Sequence, residues 1–335
     1  MSRRALIALV LVFQIIVGVV LGEGVLLAMY SLVSPRYPPA LLEFFRWEYF
    51  YRRNIVQLDT DRARYDAELL YTLRPGRFTF ANIEYTTQYV VNSLGVRDDE
   101  ASLVQPEIVV AGDSYAMGWG VQQDEAFPQV IARKTKRRVL NAAVASYGTV
   151  REMRLLDRVD MSHATTLVIQ YCANDFDENE QFEQRGNRHA PGREQEWLDA
   201  IATQRRTARY RPLRMLYDSA IWIKRGIEGH HWGGFEPYTP PADRAAELFL
   251  NALLHAPHQD LTRLRIVVTD PDADHRFIRA LDRLHGDQRY PPHIRAMRIV
   301  DVSALMTPDV HYVLDDHLTA RGHQLIADAV IAALR

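Results

Sequence analysis

The chain has 335 residues, of which 47% are hydrophobic and 24% charged, with a formal charge of −2 at neutral pH. That length is enough for one large globular domain plus extensions, and the balance of charge gives no reason to expect a nucleic-acid partner. A single cysteine, Cys172, excludes an intrachain disulfide and any metal site built on several cysteines.

Arg3 and Arg4 precede Ala5 to Gly22, an 18-residue apolar stretch interrupted only by Gln14 and glycines; the apolar run resumes after Glu23 and continues to Val33. A helix rises ~1.5 Å per residue and must cross ~30 Å of hydrocarbon, so the stretch predicts one membrane span. Arginines before it place the amino terminus in the cytoplasm and the rest of the chain outside. The expectation is a single-pass inner (cytoplasmic) membrane protein whose main domain is periplasmic or otherwise extracytoplasmic. A cleaved signal peptide would have an apolar core of ~7 to 15 residues followed by a small-residue cleavage site. Here the run is longer and no Ala-x-Ala follows, which favours an uncleaved anchor.

Ser34-Pro35-Arg36-Tyr37-Pro38-Pro39 ends the anchor, because prolines at this density cannot continue a helix. Residues 1–34 are thus a cytoplasmic tip and transmembrane anchor. The stretch 35–104 is aromatic-rich and partly alternating, as in Phe78-Thr79-Phe80 and Tyr85 to Val91, and predicts a small juxtamembrane β-containing segment closed by a turn at Asn92 to Arg97.

From Ile108 the pattern becomes strand then helix. Strands are expected at Ile108 to Ala111, Arg138 to Leu140, Thr166 to Tyr171, Leu264 to Val268 and Arg298 to Val302, with helices near 125–137, 149–159, 274–285 and 320–334. Alternating units of this kind imply a parallel sheet covered on both faces, and five strands suit a three-layer α/β/α domain over 105–335. An insertion at about 176–258 holds no convincing strand. Within it, Gln184 to Arg225 carries ten Lys or Arg against four Asp or Glu. This excess fits a solvated face, and equally contact with phospholipid headgroups or an anionic glycan. No internal repeat or low-complexity tract is present.

The chemistry concentrates at strand ends. Ile108 to Ala111 runs into Gly112-Asp113-Ser114, which holds a serine at the carboxyl edge of the sheet, where open α/β folds bind ligands. A serine hydroxyl needs a positioned base with its own orienting carboxylate, and His317 with Asp315 or Asp316 could supply both. Asn174 follows the strand beginning at Thr166 and could donate its amide hydrogen to an oxyanion. The small residues of Asn141 to Gly148 would let a backbone amide approach as a second donor. The loop carrying Asp315 and His317 precedes a helix whose Leu325, Ile326, Ala329, Val330 and Ala333 share one face and dock it to the core.

Four blocks carry a resemblance. Gly112-Asp113-Ser114-Tyr115 with Gly118-Trp119-Gly120-Val121, Asn141 onward, Gln170 to Asp175, and Asp315 to Gly322 occur in the order of the motifs of the SGNH (GDSL) hydrolase superfamily, and the chain resembles a membrane-anchored bacterial envelope member of it. The resemblance implies a flavodoxin-like sandwich, a Ser-His-Asp triad and no cofactor. It makes Ser114 the nucleophile and first backbone donor, Asn174 the side-chain donor, Ser146 the second backbone donor and His317 the general base. The family glycine that Ser146 replaces lies five residues past Asn141, and a side chain there demands a permitted φ. Another family glycine is replaced by Cys172. The common Asp-x-x-His spacing would fall on Leu314, so the Asp-x-His variant selects Asp315 over Asp316.

Asp113 and Asp175 read as structural, hydrogen-bonding loop backbone. His323 reads as an exposed residue in the first turn of the last helix, and Cys172 as a small, inert, buried residue. His230-His231 reads as surface; without a convergent carboxylate or cysteine set no metal is assigned. The function expected is a serine esterase, a carboxylic ester hydrolase acting on an acylated small molecule, envelope glycan or lipid. The alternatives are an O-acyltransferase modifying a cell-envelope polysaccharide and a catalytically reduced, glycan-binding relative. An α/β-hydrolase elbow, Gly-x-Ser-x-Gly, fails at Ala116.

Overall fold

The structure, a computed structural model, describes residues 2–190, 192–228, 240–271 and 274–335, so His230-His231 lies outside the described residues. In chain order, helices α1 (Arg3–Ser31) and α2 (Pro39–Arg52) are followed by strands β1 (Ala63–Asp66), β2 (Leu70–Leu73), β3 (Gly76–Ala81) and β4 (Thr86–Val91). Next come β5 (Ile108–Ala111), the short helix α3 (Ser114–Met117), α4 (Phe127–Thr135), β6 (Val139–Asn141), α5 (Thr149–Leu156) and β7 (Thr166–Gln170). Helices α6 (Asp175–Gln184), α7 (Glu194–Ala208), α8 (Arg214–Ile227) and α9 (Ala242–His255) lead to β8 (Arg265–Asp270), α10 (Arg276–Leu284), α11 (Pro292–Arg295), β9 (Arg298–Asp301) and α12 (Ala320–Leu334).

These elements divide into two compact units. One holds the residues up to Arg53 together with 204–228 and Val313–Asp315; the other holds Asn54–Thr203, the described residues of 240–312, and Asp316–Arg335.

The larger unit is built on a parallel sheet in the order β6-β5-β7-β8-β9. Renumbered from β5 this is 2-1-3-4-5, the flavodoxin-like order, whose strand sequence reverses at β5 and opens a crevice at the carboxyl ends of β5 and β7. Every residue of β5, β6 and β7 is buried, as a sheet covered on both faces requires. Helices α4 and α12 pack together on one face, and α5, α6, α9 and α10 on the other, as right-handed crossovers dictate. The expected three-layer α/β/α architecture is therefore present. The strand ends agree with the sequence pattern to within a residue or two, and no strand occurs between α6 and α9 among the described residues.

Ahead of the sheet, β1 pairs with β2 and β3 with β4, both antiparallel. Phe78 and Phe80 alternate across the second hairpin, and Phe80 is buried against Tyr89 and Trp119. The turn expected after β4 is present: Gly95 adopts φ +87°, donates to Asn92 O at 3.0 Å, and approaches Leu73 O too closely for any Cβ.

In the smaller unit, α1 is long and apolar enough to cross a membrane. Residues 2–21 are exposed along its whole length, and packing begins only at Gly22, which lies against Leu216. Glu23 is buried and accepts the backbone N–H groups of Met215 at 3.2 Å and Leu216 at 3.0 Å, so that α1 caps the start of α8. The β-containing segment also contains a helix, α2, absent from the sequence expectation. Pro39 opens it at a position where no N–H is needed, and Phe44, Phe45, Glu48 and Tyr49 fall on one buried face with Tyr30, Met215 and Leu314. Burial, with the Asp218 carboxyl nearby, pushes Glu48 up to about 7 although Arg52 bonds it at 2.7 Å.

His323 corrects one expectation: it is buried, not exposed. Its place on α12 turns it toward α4, where Nδ1 accepts the N–H of Phe127, one of the helix's orphan donors, at 3.3 Å, and the ring stacks on Phe127. Burial lowers its pKa to about 3, so it is neutral in the fold and takes up a proton on unfolding below its ordinary value of 6.5. Its contribution is therefore complete above pH 6.5 and is lost as pH falls toward 3, with a slope approaching about 1.4 kcal/mol per pH unit. His323→Gln keeps an acceptor without titrating. Urea midpoints should fall faster for wild type than for this variant between about pH 7 and about pH 4.5; parallel curves would refute the assignment.

Candidate active site

Ser114 opens α3 on the turn leaving β5, at the carboxyl edge beside β7. Gln170, the last residue of β7, holds that turn. Its buried Oε1 accepts the N–H of Asp113 at 3.1 Å and of Ala116 at 3.0 Å, while its Nε2 donates to Tyr171 O at 2.9 Å. Gly112 has no Cβ for a steric reason: one would stand 2.7 Å from Gln170 Oε1 and 2.8 Å from the Ala116 methyl. Asp113 caps α3, accepting the Tyr115 N–H at 3.1 Å, and burial raises its pKa.

His317 meets this turn from the far end of the sequence. Its Nε2 lies 2.7 Å from Ser114 Oγ, and both residues are largely shielded, Ser114 at 9% and His317 at 5% exposure. The loop carrying His317 is tied at several points. Thr319 N–H donates to Val310 O at 2.8 Å, Tyr312 N–H to His317 O at 3.1 Å, and the Tyr115 hydroxyl to Asp316 O at 3.0 Å. Trp119 stacks on the imidazole, centroids 5.2 Å apart at 22°, and Tyr115 flanks it at 5.0 Å.

Arg97 fixes the Trp119 loop from beneath. Wholly buried, it donates to the carbonyls of Met117 at 3.3 Å, Gly118, Val121 at 2.7 Å and Gln88 at 3.2 Å, and its guanidinium lies 3.8 Å from the centre of the Tyr89 ring.

The two candidate acids differ in surroundings. Asp316 Oδ1 lies 3.2 Å from His317 Nδ1, and its side chain is 61% exposed. The Asp315 side chain is fully buried, accepts the Tyr49 hydroxyl, and pairs with Arg53 at 3.2 Å. The run Asp315-Asp316-His317 offers three side chains of metal-ligating type, but His317 Nε2 is taken by Ser114 and Asp315 by Tyr49 and Arg53, so no metal is assigned to it.

Ser146 and Asn174 stand on the loops leaving β6 and β7, at the same sheet edge as Ser114. Ser146 adopts φ +60°, a left-handed conformation that explains why glycine would be at home there. Its carbonyl accepts Arg151 at 2.6 Å and its hydroxyl accepts Gln57 Nε2 at 3.0 Å. Asn174 is exposed just before α6 and lines a cavity of about 290 Å³ with Arg151, Glu178 and Arg185. Asn141 is structural: its amide donates to Ala116 O at 2.9 Å and accepts the Ala143 N–H at 3.2 Å.

Asp175 is buried and accepts the Thr149 hydroxyl at 2.7 Å, a side chain where loop backbone was expected; burial raises its pKa well above the carboxylate range. Cys172 is partly exposed by surface rather than buried as expected, and desolvation pushes its thiol well above its ordinary value, which favours the protonated form. Gln170, Trp119 and Arg97 were missed as site residues. The first two lie inside the quoted motifs, and their identity was visible although their contacts were not; Arg97 carried no local signal.

No family model matches the chain, and no curated protein matches it. Among solved structures it is similar to a putative lipolytic protein of the G-D-S-L family from Desulfitobacterium hafniense DCB-2, at 11% identity and a TM-score of 0.34, covering 67% of this chain and 97% of that one. It is also similar to the lipase Lip_vut3 from a goat rumen metagenome, at 12% identity and a TM-score of 0.36, covering 68% of this chain and 96% of that one. Similarity at this level carries no functional argument.

Replacing Gln170 by Leu would leave two buried N–H groups without an acceptor, at about 1–3 kcal/mol each. The urea midpoint should fall by the equivalent of about 2–6 kcal/mol, and a fall under about 0.5 kcal/mol would remove Gln170 as the clamp of the serine turn.

Proposed function

We propose that the chain is a serine esterase of the SGNH (GDSL) type, hydrolysing an acyl or acetyl ester, with Ser114 as nucleophile and His317 as general base. The observation that carries this reading is the 2.7 Å bond between His317 Nε2 and Ser114 Oγ at the carboxyl edge of the sheet. Ser114 Oγ attacks the ester carbonyl carbon and passes its proton to His317 Nε2. The oxyanion is held by the N–H groups of Ser114 and Ser146 and the Asn174 amide. Collapse breaks the bond to the alcohol, which leaves with the proton from His317. Water, deprotonated by the same imidazole, then releases the acid and restores the serine. The substrate is an acylated envelope glycan or lipid, and α1 anchors the chain in the inner membrane with this unit outside the cytoplasm.

Asp315 is proposed as the carboxylate that orients His317. The Asp-x-His spacing supports it, as does a buried carboxylate whose charge Arg53 balances. The 3.2 Å separation of Asp316 from His317 Nδ1 supports the second reading.

A fluorophosphonate probe should label the wild-type chain, and Ser114→Ala should abolish labelling together with hydrolysis of p-nitrophenyl acetate; equal labelling of the mutant would sink the proposal. For the acid, Asp315→Asn should lower kcat by about three to four orders of magnitude, because the wrong imidazole tautomer disables the base. Asp316→Asn should change it less than about threefold, since an exposed carboxylate is screened by solvent. The reverse ranking transfers the role to Asp316.

A further inference from the structure

A cavity of about 570 Å³ lies within the smaller unit, and none of the residues named as lining it belongs to the unit that holds Ser114 and His317. Arg52, Arg206, Arg211 and Arg214 line it together with Tyr217, and among the described residues Asp218 is the one carboxylate in its wall. Glu48 backs it from α2. Arg52 is pinned between Glu48 at 2.7 Å and Asp218 at 2.5 Å and donates to Thr207 O at 2.6 Å, and Arg214 approaches Glu48 at 3.4 Å. Four guanidinium groups thus face a space that two carboxylates line or back, and both carboxylates are already engaged by Arg52. Arg206 and Arg211 are exposed at its mouth beside Leu213 and Tyr217.

The place of this cavity along α1 says what would fill it, on the reading that α1 spans the membrane. The exposed residues 2–21 cover ~30 Å at ~1.5 Å per residue, the thickness of a hydrocarbon core. Immediately after them, Glu23 grips the N–H groups of Met215 and Leu216, so the Leu213-Arg214 wall of the cavity is fixed at the level where the bare stretch of α1 ends. Guanidinium groups at that level meet phosphates, which they recognise through paired N–H donors. Tyr217 and Leu213 beside them suit the boundary between headgroup and acyl chain.

We propose that this cavity binds the phosphate of an anionic phospholipid headgroup, and so fixes the smaller unit against the bilayer surface. The experiment uses the full chain in detergent, observed by native mass spectrometry with phosphatidylglycerol, phosphatidylcholine or inorganic phosphate added. Wild type should retain one phosphatidylglycerol with at least about a tenfold preference over phosphatidylcholine, as expected when charge-assisted bonds are at stake. Arg206→Gln with Arg211→Gln should remove that preference in a chain that still melts cooperatively. Lysines at the same two positions should keep part of it.

Equal retention of the two lipids by wild type would overturn the site, as would an undiminished preference in the glutamine variant. Displacement of the lipid by an equal concentration of inorganic phosphate would overturn the lipid as ligand. Carbonate washing of membranes carrying the full chain tests the span separately: retention without lipid selectivity overturns the headgroup site alone, and release overturns the span and the site with it.

Discussion

The arrangement at the sheet edge depends on a single side-chain carboxamide, that of Gln170, because it joins the most secure part of the fold to the least regular. Strand β7 is buried along its whole length between β5 and β8, and Gln170 ends it. The turn after β5 leaves two N–H groups pointing at that end with no strand to receive them. A carboxylate could accept both but could not also donate to Tyr171 O, and an asparagine is one methylene shorter. A glutamine satisfies all three backbone groups at once. The geometry between Ser114 and His317 is therefore referenced to the sheet rather than to a free loop.

The other side of the site rests on Arg97, a buried cation with four carbonyl partners and an aromatic face. Desolvation lowers its pKa, and the partial charges of the carbonyls offset that cost only if the whole loop 117–121 is in place. The consequence is a stiff shelf on which Trp119 lies flat against the His317 ring. A lysine has too few donors and the wrong shape to hold four carbonyls, so this position is specific to arginine.

Much of the larger unit could be read in the sequence because the strands of its parallel sheet are short, carry a run of apolar residues and alternate with helices that have one apolar face. That is the signal a covered parallel sheet must leave. The serine and histidine were legible through their neighbouring glycines and aspartates. What escaped is instructive. Helix α2 reads PALLEFFRWEYFYR, and its aromatic content mimics a strand; only the burial of Phe44, Phe45, Glu48 and Tyr49 at helical spacing reveals the period. A place in the first turn of the last helix reads as solvent-facing for His323, whereas a neutral imidazole serves well as a buried acceptor for an orphan N–H. Arg97 was invisible because its partners are backbone carbonyls, which every sequence has. The grip of Glu23 on α8 joins residues nearly 200 apart, and no local pattern records such a pair.

Ser114 and His317 are separated by 203 positions along the chain, and this has a consequence in time. At a synthesis rate of about 5–20 residues per second, the histidine is made roughly 10–40 s after the serine. Strands β5, β6 and β7 are all complete well before then, so the serine turn has the backbone partners that hold it long before its imidazole partner exists. During that interval the nascent chain presents the Ser114 hydroxyl without its imidazole partner. The imidazole arrives last, with the segment that also supplies α12, so a ribosome that stalls late releases a chain whose Ser114 lacks the ring it bonds in the finished fold.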